Sequence, residues 1–186
     1  IEGAEDSLND GMKMIMDKEI NNKDIVIGIS ASGTTPYVLG ALEKAYDIGA
    51  KTALIQCNIS SGREFIDHNI NVVVGPEIIS GSTRMKAGTA TKIILNMIST
   101  ISMIKINKTH GNIMSDLKIA NNKLLNRGIR TISEILDIDN VTAKKCLEKS
   151  KGNIKIAITM HKFKVSFSKA KKILSENNNS LIGIID

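Results

Sequence analysis

The chain has 186 residues, enough for one medium domain or one domain with a small appendage. Its 42% hydrophobic and 24% charged residues can fill a core and exclude wholesale disorder. The formal charge of +6 would invite a nucleic-acid reading, but aromatics are only 3% with no Trp, so no stacking platform is present.

The basic residues are scattered and mostly lysine, which describes a solvated surface and suits a protein that binds anionic small molecules. No continuous apolar run approaches the length of a bilayer, and no signal-peptide pattern opens the chain. A cytoplasmic protein with neither nucleic acid nor membrane as partner is expected. Cys57 and Cys146 lie far apart in apolar-flavoured segments and read as reduced thiols. The chain starts at Ile1 rather than Met, from which a processed or truncated piece is expected.

In chain order, the acidic cluster Glu2-Gly3-Ala4-Glu5-Asp6 comes first. Taken alone, such a cluster ahead of a helix complements the macrodipole, and spacing does not make Glu5 catalytic. Residues 25–29, Ile-Val-Ile-Gly-Ile, form a continuous apolar run, as in a parallel strand covered on both faces. The loop Ser30-Ala31-Ser32-Gly33-Thr34-Thr35-Pro36 follows, then an apolar-periodic helix over 36–48 with Thr35 as N-cap and Gly49 as stop. A second strand is expected over 52–57, then a turn-rich stretch with Ser60, Ser61 and Gly62, and a third strand over 71–74. Strands alternating with helices imply an α/β fold with a parallel sheet.

The segment Ser80-Gly81-Ser82-Thr83-Arg84-Met85-Lys86-Ala87-Gly88-Thr89 opens a long helix that runs to about 106. Ala87, Ala90, Ile94, Met97, Ile98, Ile101 and Ile104 recur at helical spacing and are most simply core, while the wide apolar face leaves room for a subunit interface. From about residue 126 the strand signals stop. Short helices are expected near 129–136, 142–150, 153–160 and 168–176, forming a small helical appendage.

The loop over 30–36 is the strongest local signal. Small hydroxyl residues and Gly33 between a strand and a helix let N–H groups converge on an anion, with Ser30, Ser32 and Thr35 as further phosphate donors. The bland alternative is a capped helix with a flexible turn. It is not a P-loop, because no Gly-Lys-Ser/Thr follows at that spacing. The second loop, with Ser82, Thr83, Arg84 and Lys86, either caps the long helix or lines the same anion site. His68, His110 and His161 lack the spacing of metal ligands, so neither a metal nor another cofactor is expected. No Gly-x-Ser-x-Gly elbow or Cys/His pair at useful spacing supports nucleophilic catalysis.

Glu2-Gly3-Ala4-Glu5-Asp6 followed by Ile27-Gly28-Ile29-Ser30-Ala31-Ser32-Gly33-Thr34-Thr35-Pro36-Tyr37-Val38 closely resembles the N-acetylmuramic acid 6-phosphate etherases. The likeness continues over 74–90, 95–100 and 111–114 with Asp116, covering most of residues 1–125. It implies a partial sugar isomerase (SIS) domain over 1–125, its parallel sheet sandwiched by helices. Over 126–186 it implies a three-helix, ubiquitin-associated-like module. The turn Asp137-Ile138-Asp139-Asn140 lacks the ubiquitin-contacting Met-Gly-Phe/Tyr, so ubiquitin is not implied as a partner.

The resemblance further implies a lyase that binds a sugar 6-phosphate, cleaves the C3 lactyl ether, and assembles as a homodimer. Glu5 matches one of the family's two catalytic glutamates; Ser30, Ser32, Gly33 and Thr35 match a phosphate loop. Ser82, Thr83, Arg84 and Lys86 are candidates for substrate-site support. The second glutamate's motif, Asp-Ala-Ser-Glu-Cys, and the loop Gly-Ala-Gly-Thr-Ser-Gly-Arg do not occur in these residues. The chain alone is therefore expected to be inactive, and uncovered apolar surface to drive aggregation or altered pairing. The alternative is a non-catalytic, sugar-phosphate-binding regulatory SIS protein.

Overall fold

In the computed structural model, residues 3–59 and 62–185 are described. Ile1 and Glu2, and Ser60 and Ser61 of the turn-rich stretch, lie outside the described residues. Contacts divide the chain into two units, Ile1–Met97 and Ile98–Asp186.

In the first unit, Ala4–Asp6 makes a single 3-10 turn. Ser7 then caps α1 (Leu8–Asp17), its hydroxyl accepting the Asp10 N–H at 3.1 Å. β1 (Ile25–Ile29) leads into α2 (Pro36–Ile48), with proline in the first turn, where its missing N–H costs nothing, and Gly49 ending the helix. α1 and α2 touch through two glycines. A Cβ at Gly11 would stand 2.0 Å from the Tyr37 carbonyl oxygen, and one at Gly40 would stand 2.3 Å from that of Leu8. This backbone-level approach holds the acidic turn beside the start of α2.

β2 (Lys51–Gln56) pairs parallel with β1, and β3 (His68–Asn71) pairs parallel with β2, giving the order β1-β2-β3. The α/β reading with a parallel sheet therefore stands, and the first strand and the following helix have the expected bounds. The third strand does not. It lies at His68–Asn71 rather than 71–74, because the Asp67 carboxylate accepts the Thr52 backbone N–H at 2.9 Å and sets the register Ala53 opposite His68. That N–H bond, with Lys51 at 3.3 Å and the Thr52 hydroxyl donating at 3.2 Å, holds the Asp67 carboxyl below its ordinary value.

Ile15, Ala41, Ala45 and Ala50 are buried together between these elements, with Val26 and Ile48 packed against them. Helices do not cover both faces at β1, in contrast to the sequence expectation. Ile25 and Ile29 are 57% and 45% exposed, whereas Ala53 and Ile55 on the central strand are buried. A continuous apolar run is thus compatible with a strand covered on one side only.

α3 (Lys86–Lys105) buries only Ala87 and Ile94 among the residues expected as core. Met97, Ile101 and Ile104 are exposed. Periodicity marks an apolar face but does not supply its partner. By length and composition α3 is also long and apolar enough to cross a membrane, although no continuous apolar run in the sequence reaches that length. Thr91, Asn96, Ser99 and Ser102 interrupt the apolar residues along it, so no continuous run exposes the fact in the sequence.

The second unit takes in the end of α3 from Ile98 and then a two-residue antiparallel pairing absent from the sequence reading, β4 (Thr109–His110) with β5 (Ile113–Met114). α4 (Asn122–Leu136), α5 (Asn140–Lys149), α6 (Ile154–Phe163) and α7 (Phe167–Glu176) follow. Asn121, Asp139, Asn153 and Ser166 each cap the helix they precede through a side-chain oxygen. α4 starts seven residues before its expected 129, on the Asn121 cap. Ile132, Leu147, Ile154, Ile158 and Leu174 form the centre of this unit. Lys155, 5% exposed, ties its ends together by donating to the carbonyls of Asn107 and Asn179. Burial lowers its amine from the ordinary lysine value, with Asp116 partly offsetting this.

Candidate functional site

The loop over 30–35 stands at the carboxyl end of β1 and the N-terminus of α2, where a parallel sheet leaves a crevice and the first helical N–H groups have no partner within the helix. Ser30 is almost fully buried. Its hydroxyl lies 2.7 Å from Thr35 Oγ1 and 3.3 Å from Ser32 Oγ, and accepts the Gly33 N–H at 3.0 Å. Ser32 Oγ in turn accepts from the Thr34 backbone at 3.2 Å and the Thr34 hydroxyl at 2.9 Å. The hydroxyls named from sequence are thus one connected cluster. Thr35 sits at the N-cap of α2, but its side chain bonds to Ser30 rather than capping the helix.

Gly33 is required twice over. Its φ of 76° lies in the left-handed region, and a Cβ there would fall 1.7 Å from Gln56 Oε1. Gln56 is fully buried and donates through Nε2 to Asn69 Oδ1 at 3.0 Å and Asn71 Oδ1 at 2.6 Å. On the β2–β3 connection, Arg63 donates from Nη1 to the Gly33 carbonyl at 3.1 Å. Nothing in the sequence marks Gln56 or Arg63 as a partner of the loop, since only the register of β2 and β3 brings them to it.

An open cleft of about 530 Å³ joins this loop to the acidic turn: Glu5, Asp6, Ser30, Ser32, Thr35 and Thr83 are among its walls. Its size is within the usual range for small-molecule sites. Of the second-loop candidates, only Thr83 lines it. Ser82 is half-buried and Arg84 exposed, neither on the cleft wall, and Lys86 Nζ donates to the Pro76 carbonyl at 2.7 Å. The start of α3 is instead held by Glu77, which accepts the backbone N–H groups of Lys86 at 3.0 Å and Ala87 at 2.9 Å. These bonds, Ala87 first, keep the Glu77 carboxyl below its ordinary value.

Chemically, the cleft offers hydroxyl and amide donors to an anion on one wall and carboxylates able to move protons on the other. The segment 25–42 contains no charged side chain, so the loop itself contributes dipoles and no net charge. Among the described residues, no group of three or more His, Cys, Asp and Glu side chains could hold a metal ion. A Cys/His pair does exist, contrary to expectation: in the second unit Cys146 Sγ lies 3.6 Å from His161 Nδ1. The helix packing of α5 and α6 creates it across fifteen residues. Burial pushes the Cys146 thiol up, which disfavours the thiolate that nucleophilic catalysis needs.

No protein-family model matches the chain. Curated relatives match nearly all of it. The N-acetylmuramic acid 6-phosphate etherase of Staphylococcus saprophyticus is 45% identical over 180 residues, covering 96% of this chain and 61% of the relative. The N-acetylmuramic acid 6-phosphate etherase 1 of Bacillus licheniformis is 47% identical over 182 residues, 97% of this chain and 60% of the relative. That of Lactobacillus johnsonii is 46% identical over 187 residues, 100% and 63%. The chain thus spans about three fifths of the length of these curated relatives.

Proposed function

We propose, for a chain that belongs to the N-acetylmuramic acid 6-phosphate etherase family, that the 30–35 loop binds the phosphate of a sugar 6-phosphate and that Glu5 is an acid–base group of the reaction. Ser30, Ser32 and Thr35 are the hydroxyl ligands, with Gly33 allowing the close turn. Thr83 borders the sugar, while Ser82, Arg84 and Lys86 contribute only around it. The observation that carries the reading is the shared cleft: a carboxylate pair and a neutral hydroxyl loop face one space.

The reaction is an elimination and a hydration. In the ring-opened sugar, the C1 aldehyde acidifies the C2 proton, which a carboxylate removes. The C3–O bond breaks as lactate leaves with a proton, forming a C2–C3 double bond conjugated to the aldehyde. Water then adds, its hydroxyl to C3 and a proton to C2, giving N-acetylglucosamine 6-phosphate and D-lactate. No redox step or cofactor is needed.

These residues hold one of the two glutamates that the resemblance implies, so this chain is proposed to bind the phosphosugar without turning it over. Its organisation is read as a partial SIS domain over 1–125 and a ubiquitin-associated-like module over 126–186, within a cytoplasmic homodimer. Two measurements on the purified chain test this. Titration with N-acetylglucosamine 6-phosphate should show binding that the double variant Ser30→Ala/Thr35→Ala weakens at least tenfold. Lactate release from N-acetylmuramic acid 6-phosphate should stay at background. Rapid release would overturn the claim of inactivity, and absence of binding would overturn the phosphate loop. The regulatory alternative requires binding without lactate release even when the chain is joined to a segment bearing the Asp-Ala-Ser-Glu-Cys motif.

A further inference from the structure

A phosphate dianion seated on the 30–35 loop needs positive charge that the loop does not carry. No charged side chain occurs between residues 25 and 42, and the cleft already contains Glu5 and Asp6. Dipoles and hydroxyls can orient a phosphate, but two nearby carboxylates oppose its charge. The cations expected to help are elsewhere: Lys86 is held by the Pro76 carbonyl, and Arg84 is off the cleft wall. One cation does reach the loop. Arg63, half-buried on the β2–β3 connection, donates to the carbonyl of Gly33 at 3.1 Å, thirty residues away in sequence.

We propose that Arg63 is the positioning cation of this anion site, acting from behind Gly33 on the phosphate held by the hydroxyl cluster. The inference rests on reading 30–35 as a phosphate loop. Two effects combine. The hydrogen bond fixes the Gly33–Thr34 peptide, whose N–H, that of Thr34, is bonded to the Ser32 hydroxyl, so the ring of Ser30, Ser32 and Thr35 hydroxyls keeps its shape before ligand arrives. The guanidinium charge, permanently present and partly shielded from water, raises the local potential felt by the anion. Gln56 supports the same turn, its side-chain oxygen filling the space beside the Gly33 Cα and its Nε2 donating to Asn69 and Asn71. Gln56 shapes the loop without charge, and Arg63 adds the charge.

Three variants of the chain, Arg63→Gln, Arg63→Lys and Ser30→Ala/Thr35→Ala, separate the possibilities. Binding of N-acetylglucosamine 6-phosphate is measured by calorimetry at two salt concentrations, with thermal unfolding followed in parallel. Arg63→Gln should weaken binding about tenfold and flatten its salt dependence, while Arg63→Lys, which keeps the charge, should remain within about threefold of the parent. Equal affinity of Arg63→Gln and the parent overturns the proposal. So does an equal loss in the Gln and Lys variants that follows their loss of thermal stability, since that describes a structural contact alone. If the parent chain itself fails to bind, the phosphate-loop reading falls first. If the parent binds and only the hydroxyl variant is impaired, that reading stands and the role of Arg63 is refuted.

Discussion

Gly33 and Gln56 illustrate how one position can be half legible. The sequence marks Gly33 as the small residue of an anion loop, and its positive φ is what a tight strand-to-helix turn asks of glycine. That a buried amide fills the space where its Cβ would be is not legible, because Gln56 arrives from the neighbouring strand. Gly33→Ala is therefore expected to cost about 1–3 kcal/mol through backbone strain alone, with the clash against Gln56 added. Thermal unfolding of the chain checks this, together with sugar-phosphate titration, in which binding should fall below detection. Gly33→Ala/Gln56→Ala should recover part of the stability but not the binding, since the strained φ persists. Full recovery of both would show that the clash, and not the turn, makes glycine necessary.

At the scale of elements, what could be read were stretches whose own residues decide their form. β1 and α2 have apolar patterning, a proline start and a glycine stop within themselves. β3 is Asn-rich and reads as no strand at all; Asp67, bonded to Thr52, decides its register. The start of α3 is likewise decided at a distance, by Glu77 acting nine and ten residues before the N–H groups it accepts. A carboxylate there also complements the helix dipole. Because the folded state holds the Glu77 carboxyl below its ordinary value, its stabilising contribution is fully present above the unfolded carboxylate value. It is lost as the pH falls through the lower folded value. Hydrogen exchange should find the Lys86 and Ala87 amides protected at neutral pH and progressively less protected under acid conditions. Glu77→Gln should show weaker protection at neutral pH and remove much of that acid dependence. Unchanged protection in the variant would mean that the helix start does not depend on this carboxylate.

For the molecule as a whole, composition and structure pull in different directions. A 42% hydrophobic composition is enough for a core, yet much of α3 is left uncovered. Met97, Ile101 and Ile104 are spaced by four and three residues, on one face of the helix, and each is about half exposed. Composition counts these residues as core, because it cannot distinguish apolar residues that meet a partner within the chain from those that do not. The proposed homodimer gives this face an occupant, a second copy of the chain, through a helix that a sequence reading alone marks as either core or interface. Concentration-dependent self-association should then be visible by sedimentation. Met97→Glu/Ile101→Glu should shift the chain toward monomer, because two carboxylates would have to be desolvated on pairing. Both positions are exposed, so each substitution should change the stability of the monomer by no more than about 0.5 kcal/mol. Phosphosugar affinity should also be unchanged, since neither residue lines the cleft. Self-association that survives the charged variant would place the contact on another surface and remove α3 from the interface.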